Sequence, residues 1–188
     1  VNGFNVLQIL DEQYSQPFDQ NRRGLNLGEG AGFLVLESED TAKKEHILAE
    51  LVGYANSNDA YHQTASSPDG TGAYLAMKGA IEVAGIAPEA VDYINVHGTG
   101  TSNNDLSEGI AIQRIFGEKI PKFSSTKAFT GHTLGASGGI EAVFAVLALQ
   151  KGLIYPNLRF KTPIEALGGG MIPETTLLEN QPLRYILS

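Results

Sequence analysis

The chain of 188 residues contains no cysteine. That absence excludes a disulfide scaffold, thiolate-ligated zinc and a cysteine nucleophile within these residues. Basic side chains are also scarce, with 13 Lys and Arg against 21 Asp and Glu and a formal net charge of −8. A field of that sign repels a phosphate backbone and an anionic membrane surface, so no nucleic-acid partner is expected. Long apolar runs are missing too. The longest, around residues 142–149, falls far short of the roughly 20 residues that cross a bilayer, and no signal-peptide pattern opens the chain. No membrane insertion and a cytoplasmic location are the resulting expectations.

What is present fits one well-packed domain over residues 1–188, with 42% hydrophobic and 18% charged residues. Val1 in place of Met and the apolar run at 182–188 make both ends look cut. Apolar spacing predicts a helix over 4–10, ending near Asp11. The glycine-rich segment 28–32 then leads into a strand over 33–37, a short helix over 38–46 and a second strand over 47–54. A long polar loop spans 56–72, and helical spacing follows over 73–84, stopped by Gly85. Pro88 opens one further turn. A strand over 91–96, a helix over 104–116, a strand over 122–125 and a helix over 134–150 complete an alternating pattern. Such alternation predicts an α/β layered domain, without internal repeats or linkers.

Two stretches stand out chemically. Asn95-Val-His-Gly-Thr-Gly-Thr101 carries a strand into a glycine-hinged turn, at the carboxyl end where open α/β sheets place ligands. Ser124-Ser-Thr-Lys-Ala-Phe-Thr-Gly-His132 repeats the arrangement and sets Lys127 and His132 on one loop. Taken singly, each histidine reads equally as a satisfied structural residue and Lys127 as a solvated charge. Asp105 and Glu108, near the start of the helix after His97, read either as carboxylates favoured by the helix dipole or as ties between the two loops.

The ordered set His97-Gly-Thr-Gly-Thr101, Ser125-Thr-Lys127, Gly131-His132, Gly135-Ala136 and Glu141 resembles the motifs of the β-ketoacyl-[acyl carrier protein] synthases. It is most similar to the type II elongating enzymes. Pro17-Phe-Asp19, Gly28-Glu-Gly-Ala-Gly32 and Asp59-Ala-Tyr-His62 are similar to further signatures of that family. The resemblance implies a thiolase-like fold, of which this would be the carboxy-terminal half, with a layered mixed β-sheet and helices on both faces. It implies decarboxylative Claisen condensation, with His97, His132 and Lys127 catalytic and Thr99 and Thr101 contacting a phosphopantetheine arm. Asp105 and Glu108 would support them from behind, and Asn95 and Glu141 would surround a monovalent cation. No cofactor is implied beyond the phosphopantetheine that arrives on acyl carrier protein. The implied partners are that carrier, an absent amino-terminal half bearing the nucleophilic cysteine, and a second copy in a homodimer. A final glycine-rich loop of the family is also absent, so the chain alone is expected to be inactive.

Other readings compete. Gly135-Ala-Ser-Gly-Gly139 fits G-x-S-x-G, which would make Ser137 a hydrolase nucleophile, yet no histidine follows His132 to complete the order Ser, acid, His. The segment 28–32 runs toward a strand rather than opening a helix, which argues against a phosphate loop. The histidines lack short zinc-ligand spacing, and His46 and His62 read as loop residues. Thiolases share the implied fold with different motifs, and a non-catalytic chain-length partner or dimerisation scaffold is the remaining alternative. Carrier docking calls for basic residues, and the paired ones here are Arg22-Arg23 and Lys43-Lys44.

Overall fold

The computed structural model describes residues 2–62 and 65–188. The sheet has three strands, β1 (Tyr93–Asn95), β2 (Lys122–Ser124) and β3 (Ile186–Leu187), in the order β2-β1-β3. Both pairings are parallel, with Ile94 beside Phe123 and Leu187. Parallel neighbours need crossovers, and the helices supply them. The helices are α1 (Asn2–Val6), α2 (Thr71–Ala84), α3 (Ser102–Phe116), α4 (Lys127–Thr130) and α5 (Ser137–Lys151). α2 lies against α3, and α5 runs against β3.

Because side chains alternate along a strand, Ile94 and Val96 enter the apolar core with Ile81 of α2 and Ile112 and Phe116 of α3. Phe18 meets Phe123 edge-on at 5.2 Å in the same core. Tyr93 takes the opposite parity and is fully buried, its hydroxyl 2.6 Å from that of Ser124. Both strands of the central pair are thus anchored from behind, and their carboxyl ends deliver the turns that carry His97 and Lys127.

Helix ends obey local rules. Gly85 closes α2 in the left-handed conformation, and the Thr101 side chain caps α3 by accepting the Asn104 N–H. The loop expected over 56–72 is described apart from residues 63 and 64, and α2 begins at Thr71.

Several expectations fail in an instructive way. Residues 33–37 and 47–54 pair into no sheet, and Phe33 and Val35 are 88% and 90% exposed. A run apolar on both faces suits a strand covered on both faces, whereas residues 33–37 are exposed throughout and residues 47–54 approach α2 on one side only, at Gly53. The three described strands are all parallel, and antiparallel contact among the described residues occurs at the bridges Asp19–Pro163 and Ile154–Leu178. The helix expected over 38–46 is a turn followed by a 3-10 segment, Lys44–His46. α1 stops early because Gln8 adopts positive φ and Leu10 bridges Leu25. The helix expected from 134 begins as a 3-10 turn, Leu134–Ala136, before α5.

Candidate active site

Two imidazoles separated along the chain converge at the ends of β1 and β2. The His97 and His132 ring centroids lie 5.2 Å apart with an interplanar angle of 87°. His97 leaves β1 by way of Val96. Its own N–H and that of Gly98 are held by the two oxygens of Glu108, at 2.7 and 2.9 Å. One carboxylate on α3 therefore grips two consecutive amides and sets the pitch of the turn.

Lys127 is the first residue of α4 and is 3% exposed. Its ammonium bonds the Glu141 carboxylate on α5 and approaches His97 Nδ1 at 3.1 Å. An ammonium only donates, so Nδ1 of His97 accepts and the ring proton resides on Nε2. His132 is fixed in the same sense, because the Leu134 N–H donates to its Nδ1 at 3.3 Å. Ser137 Oγ lies 3.0 Å from that same nitrogen. Each ring thereby carries an Nε2–H free to donate elsewhere.

The charges agree with this arrangement. Surrounding protein, then Lys127 and then His132, push the His97 imidazole down to about 3. His97 nonetheless keeps accessible surface, so protein crowds the ring while leaving a ligand a way in. Burial and Lys127 lower His132 as well. Both rings are neutral donors at neutral pH. Burial raises Glu141 against the opposing pull of Lys127.

Glu108 is pushed up to about 7 by burial, with the two amides and Lys127 pulling the other way and Asp105 reinforcing the rise. Its folded form thus keeps a proton to higher pH than the unfolded chain, whose carboxyl titrates near 4.5. The stability it contributes is complete below that lower value and drains as pH climbs toward about 7. Denaturant midpoints taken across this window should fall with rising pH, and Glu108→Gln should flatten the slope. An unaltered slope would refute the assignment.

Asp105 is wholly buried and accepts the N–H of Phe18 at 2.7 Å and of Gly100 at 3.1 Å. Arg22 lies 3.8 Å away and spends its guanidinium on the carbonyls of Asp19, Thr101 and Ser102. Arg22 is therefore a tie within the fold rather than a free surface cation. Thr99 and Thr101 share a hydroxyl contact of 2.9 Å in the turn between His97 and α3. His46 ends the exposed 3-10 segment, and His62 sits on the exposed stretch after Asp59.

The cation expected at Asn95 and Glu141 finds little to hold it. Glu141 is neutralised by Lys127, Asn95 Oδ1 takes the Thr126 hydroxyl, and the orphaned atom of Asn95 is its amide nitrogen, a donor. Among the described residues no three His, Cys, Asp or Glu side chains cluster as metal ligands. A cleft of about 810 Å³ opens beside α4, walled by Tyr14, Asn26, Phe129 and Arg159, but neither histidine lines it.

Several supporting residues carried no sequence signal. Asn157 accepts the Ser125 N–H and donates to the Pro17 carbonyl. Arg159 donates to the carbonyls of Ser15 and Ala128, and Asp19, the end of the Pro17-Phe-Asp19 signature, accepts the N–H groups of Lys161 and Thr162. The segment 157–162 thus straps the 15–19 loop to the Lys127 turn. Asn26 accepts the His132 N–H on its carbonyl at 2.7 Å, and Gly28 donates to the His132 carbonyl at 3.1 Å. The glycine-rich segment is accordingly a seam against the His132 loop. A Cβ on Gly28 would fall inside the Thr130 carbonyl oxygen. Gly28→Ala should cost about 1–3 kcal/mol, typical of an overpacked site, measured by urea denaturation, and a neutral result would show that the seam opens freely.

The β-ketoacyl synthase C-terminal domain profile matches residues 48–161. The 3-oxoacyl-[acyl-carrier-protein] synthase 2 of Staphylococcus aureus is 48% identical over 172 residues, covering 87% of this chain and 43% of that protein. The enzyme of the same name from Vibrio cholerae is 42% identical over 182 residues, covering 91% and 44%. This chain therefore spans less than half the length of these curated relatives. Among solved structures, a type II polyketide ketosynthase captured with its acyl-carrier protein superposes with a TM-score of 0.89 at 34% identity, covering 97% of this chain and 47% of that one. A β-ketoacyl synthase from Burkholderia phymatum gives 0.85 at 34%, covering 93% and 44%. The fold is thiolase-like α/β, and the chain belongs to the β-ketoacyl synthase family, whose carboxy-terminal domain it carries.

Proposed function

We propose that this chain is the carboxy-terminal half of a 3-oxoacyl-[acyl carrier protein] synthase. The full-length protein then condenses malonyl-carrier protein with an acyl thioester held on a cysteine of the amino-terminal half. The carboxyl-bearing C–C bond of malonyl breaks, CO₂ leaves, and the electron pair passes to an enolate. The enolate carbon attacks the acyl carbonyl, and the cysteine sulfur departs as thiolate. Negative charge gathers on the malonyl thioester oxygen during decarboxylation, and two fixed N–H donors aimed at it lower the barrier. The observation that carries this reading is the meeting of the two rings, 5.2 Å apart, each held in the Nε2–H form.

Lys127 acts from behind by fixing the His97 tautomer, and Thr99 and Thr101 offer hydroxyls to the phosphopantetheine arm. No cofactor beyond that carried arm is required. Arg22 is committed within the fold, so the acidic carrier docks chiefly on the amino-terminal half. The bare apolar side chains of residues 33–36 support a larger assembly, comprising that half and a second copy in a homodimer working in the cytoplasm. Radiolabelled malonyl-carrier protein tests the reading. The full-length protein should release CO₂ and form the 3-oxoacyl product, whereas the 188-residue chain alone should do neither. Condensation by the isolated chain would contradict the proposal.

A further inference from the structure

Ser137 heads α5 inside the segment Gly135-Ala-Ser-Gly-Gly139 and is 6% exposed. Its Oγ lies 3.0 Å from His132 Nδ1 and 3.2 Å from Thr133 Oγ1. The helical position and burial leave it no role as a hydrolytic nucleophile, and the ring nitrogen beside it is already an acceptor. That nitrogen receives the Leu134 N–H, a group that can only donate. With the amide fixing the sense, the Ser137 hydroxyl has one productive orientation, its proton on Nδ1 and its lone pair toward the Thr133 hydroxyl. The amide bond is the longer of the two at 3.3 Å, and Leu134 reaches it only with a left-handed φ of 56°. A non-glycine residue in that region is strained, so the amide is a costly and distant donor while the hydroxyl is the near one.

We propose that Ser137 is a positioning residue for the condensation reaction, donating to His132 Nδ1 so that the ring keeps its Nε2–H turned toward the site shared with His97. Thr133 completes the relay by donating to Ser137. The groups facing the His132 ring are then Ser137 from α5, the Leu134 amide from the following turn, and His97 with Lys127 behind it.

This inference rests on the proposed reaction, so its test has two arms. In the first, histidine-labelled protein is followed by ¹⁵N spectroscopy, with His132 assigned as the resonance missing from a His132→Gln variant. Ser137→Ala should shift the Nδ1 resonance and raise the population of the other tautomer, now opposed by the Leu134 amide alone at 3.3 Å. In the second, malonyl decarboxylation by the full-length protein should fall about three- to tenfold in kcat, the scale of one lost hydrogen bond, with KM within about twofold. General damage lowers active-site concentration, and with it the apparent kcat at constant KM, but leaves the His132 spectrum of the folded protein unchanged, so a kcat loss accompanied by the spectral change is what marks positioning. If the alanine variant does not fold, Ser137→Gly also lacks the hydroxyl and is read in the same way. An unchanged His132 spectrum with unchanged kcat overturns the proposal. If the unsubstituted protein fails to decarboxylate malonyl thioester, the reaction assignment falls, while the spectra still decide whether Ser137 holds the tautomer.

Discussion

In the full-length protein, His97→Ala should lower malonyl decarboxylation on the order of a hundred- to a thousandfold, because one of two preorganised donors is lost, a change worth about 2.7–4 kcal/mol. Acyl transfer should stay measurable, since the proposed reaction places the nucleophilic cysteine on the amino-terminal half. The alanine also strands Lys127, but its bond to Glu141 remains, so the loop should keep its shape. His132→Ala should act in parallel, and the double variant should cost less than the product of the two singles if both donors serve one oxygen. Release of labelled CO₂ measures the first step, and transfer of a labelled acyl group measures the second. A parallel loss of both activities would show that His97 serves the acylation step instead.

Asp105→Ala should destabilise the fold by about 3–5 kcal/mol, the scale for breaking a buried charged contact from one side. The carboxylate is fully buried and faces Arg22, and its two oxygens hold amides from separate parts of the chain, Phe18 and Gly100. Alanine would leave both N–H groups and the guanidinium without that partner. Asp105→Asn retains an acceptor and should recover part of the loss. Urea denaturation of the three proteins measures the order, and an alanine variant as stable as the parent would mean that water replaces the carboxylate. Burial raises the Asp105 carboxyl above its ordinary range, against the pull of the amides and Arg22. Part of its interaction is therefore spent on desolvation.

How the sequence maps onto the fold depends on the range over which each signal acts. Gly85 after α2 was legible because it depends on neighbours within one helical turn, whereas α3 starts at Ser102, ahead of the expected 104, with Thr101 as its cap. The strand at 91–96 was equally legible, since its apolar side chains find cover from α2 and α3. Residues 33–37 and 47–54 carry as strong a strand pattern but stay unpaired, because a ladder also needs a neighbouring edge and a covered face. Glu108 read ambiguously between helix-dipole capping and loop support. Its bonds run to the His97 and Gly98 amides, both in the His97 turn, and not to the Lys127 loop, a distinction that needs the turn folded back over the helix. Asn157 and Arg159 had no signature at all, because they act by reaching the carbonyls and amides of distant segments.

The sequence by itself determined the chemical inventory and its order: two histidines and a lysine in strand-end turns, no cysteine, and glycines where backbone must approach backbone. Those features follow from side-chain type and local conformation, which a chain carries before it folds. Only the tertiary structure decided that the two rings meet, that Lys127 faces His97 while bonded to Glu141, and that Ser137 touches His132. Such contacts are set by how parallel strands and their crossover helices pack, and packing is a property of the whole set of buried surfaces rather than of any one segment.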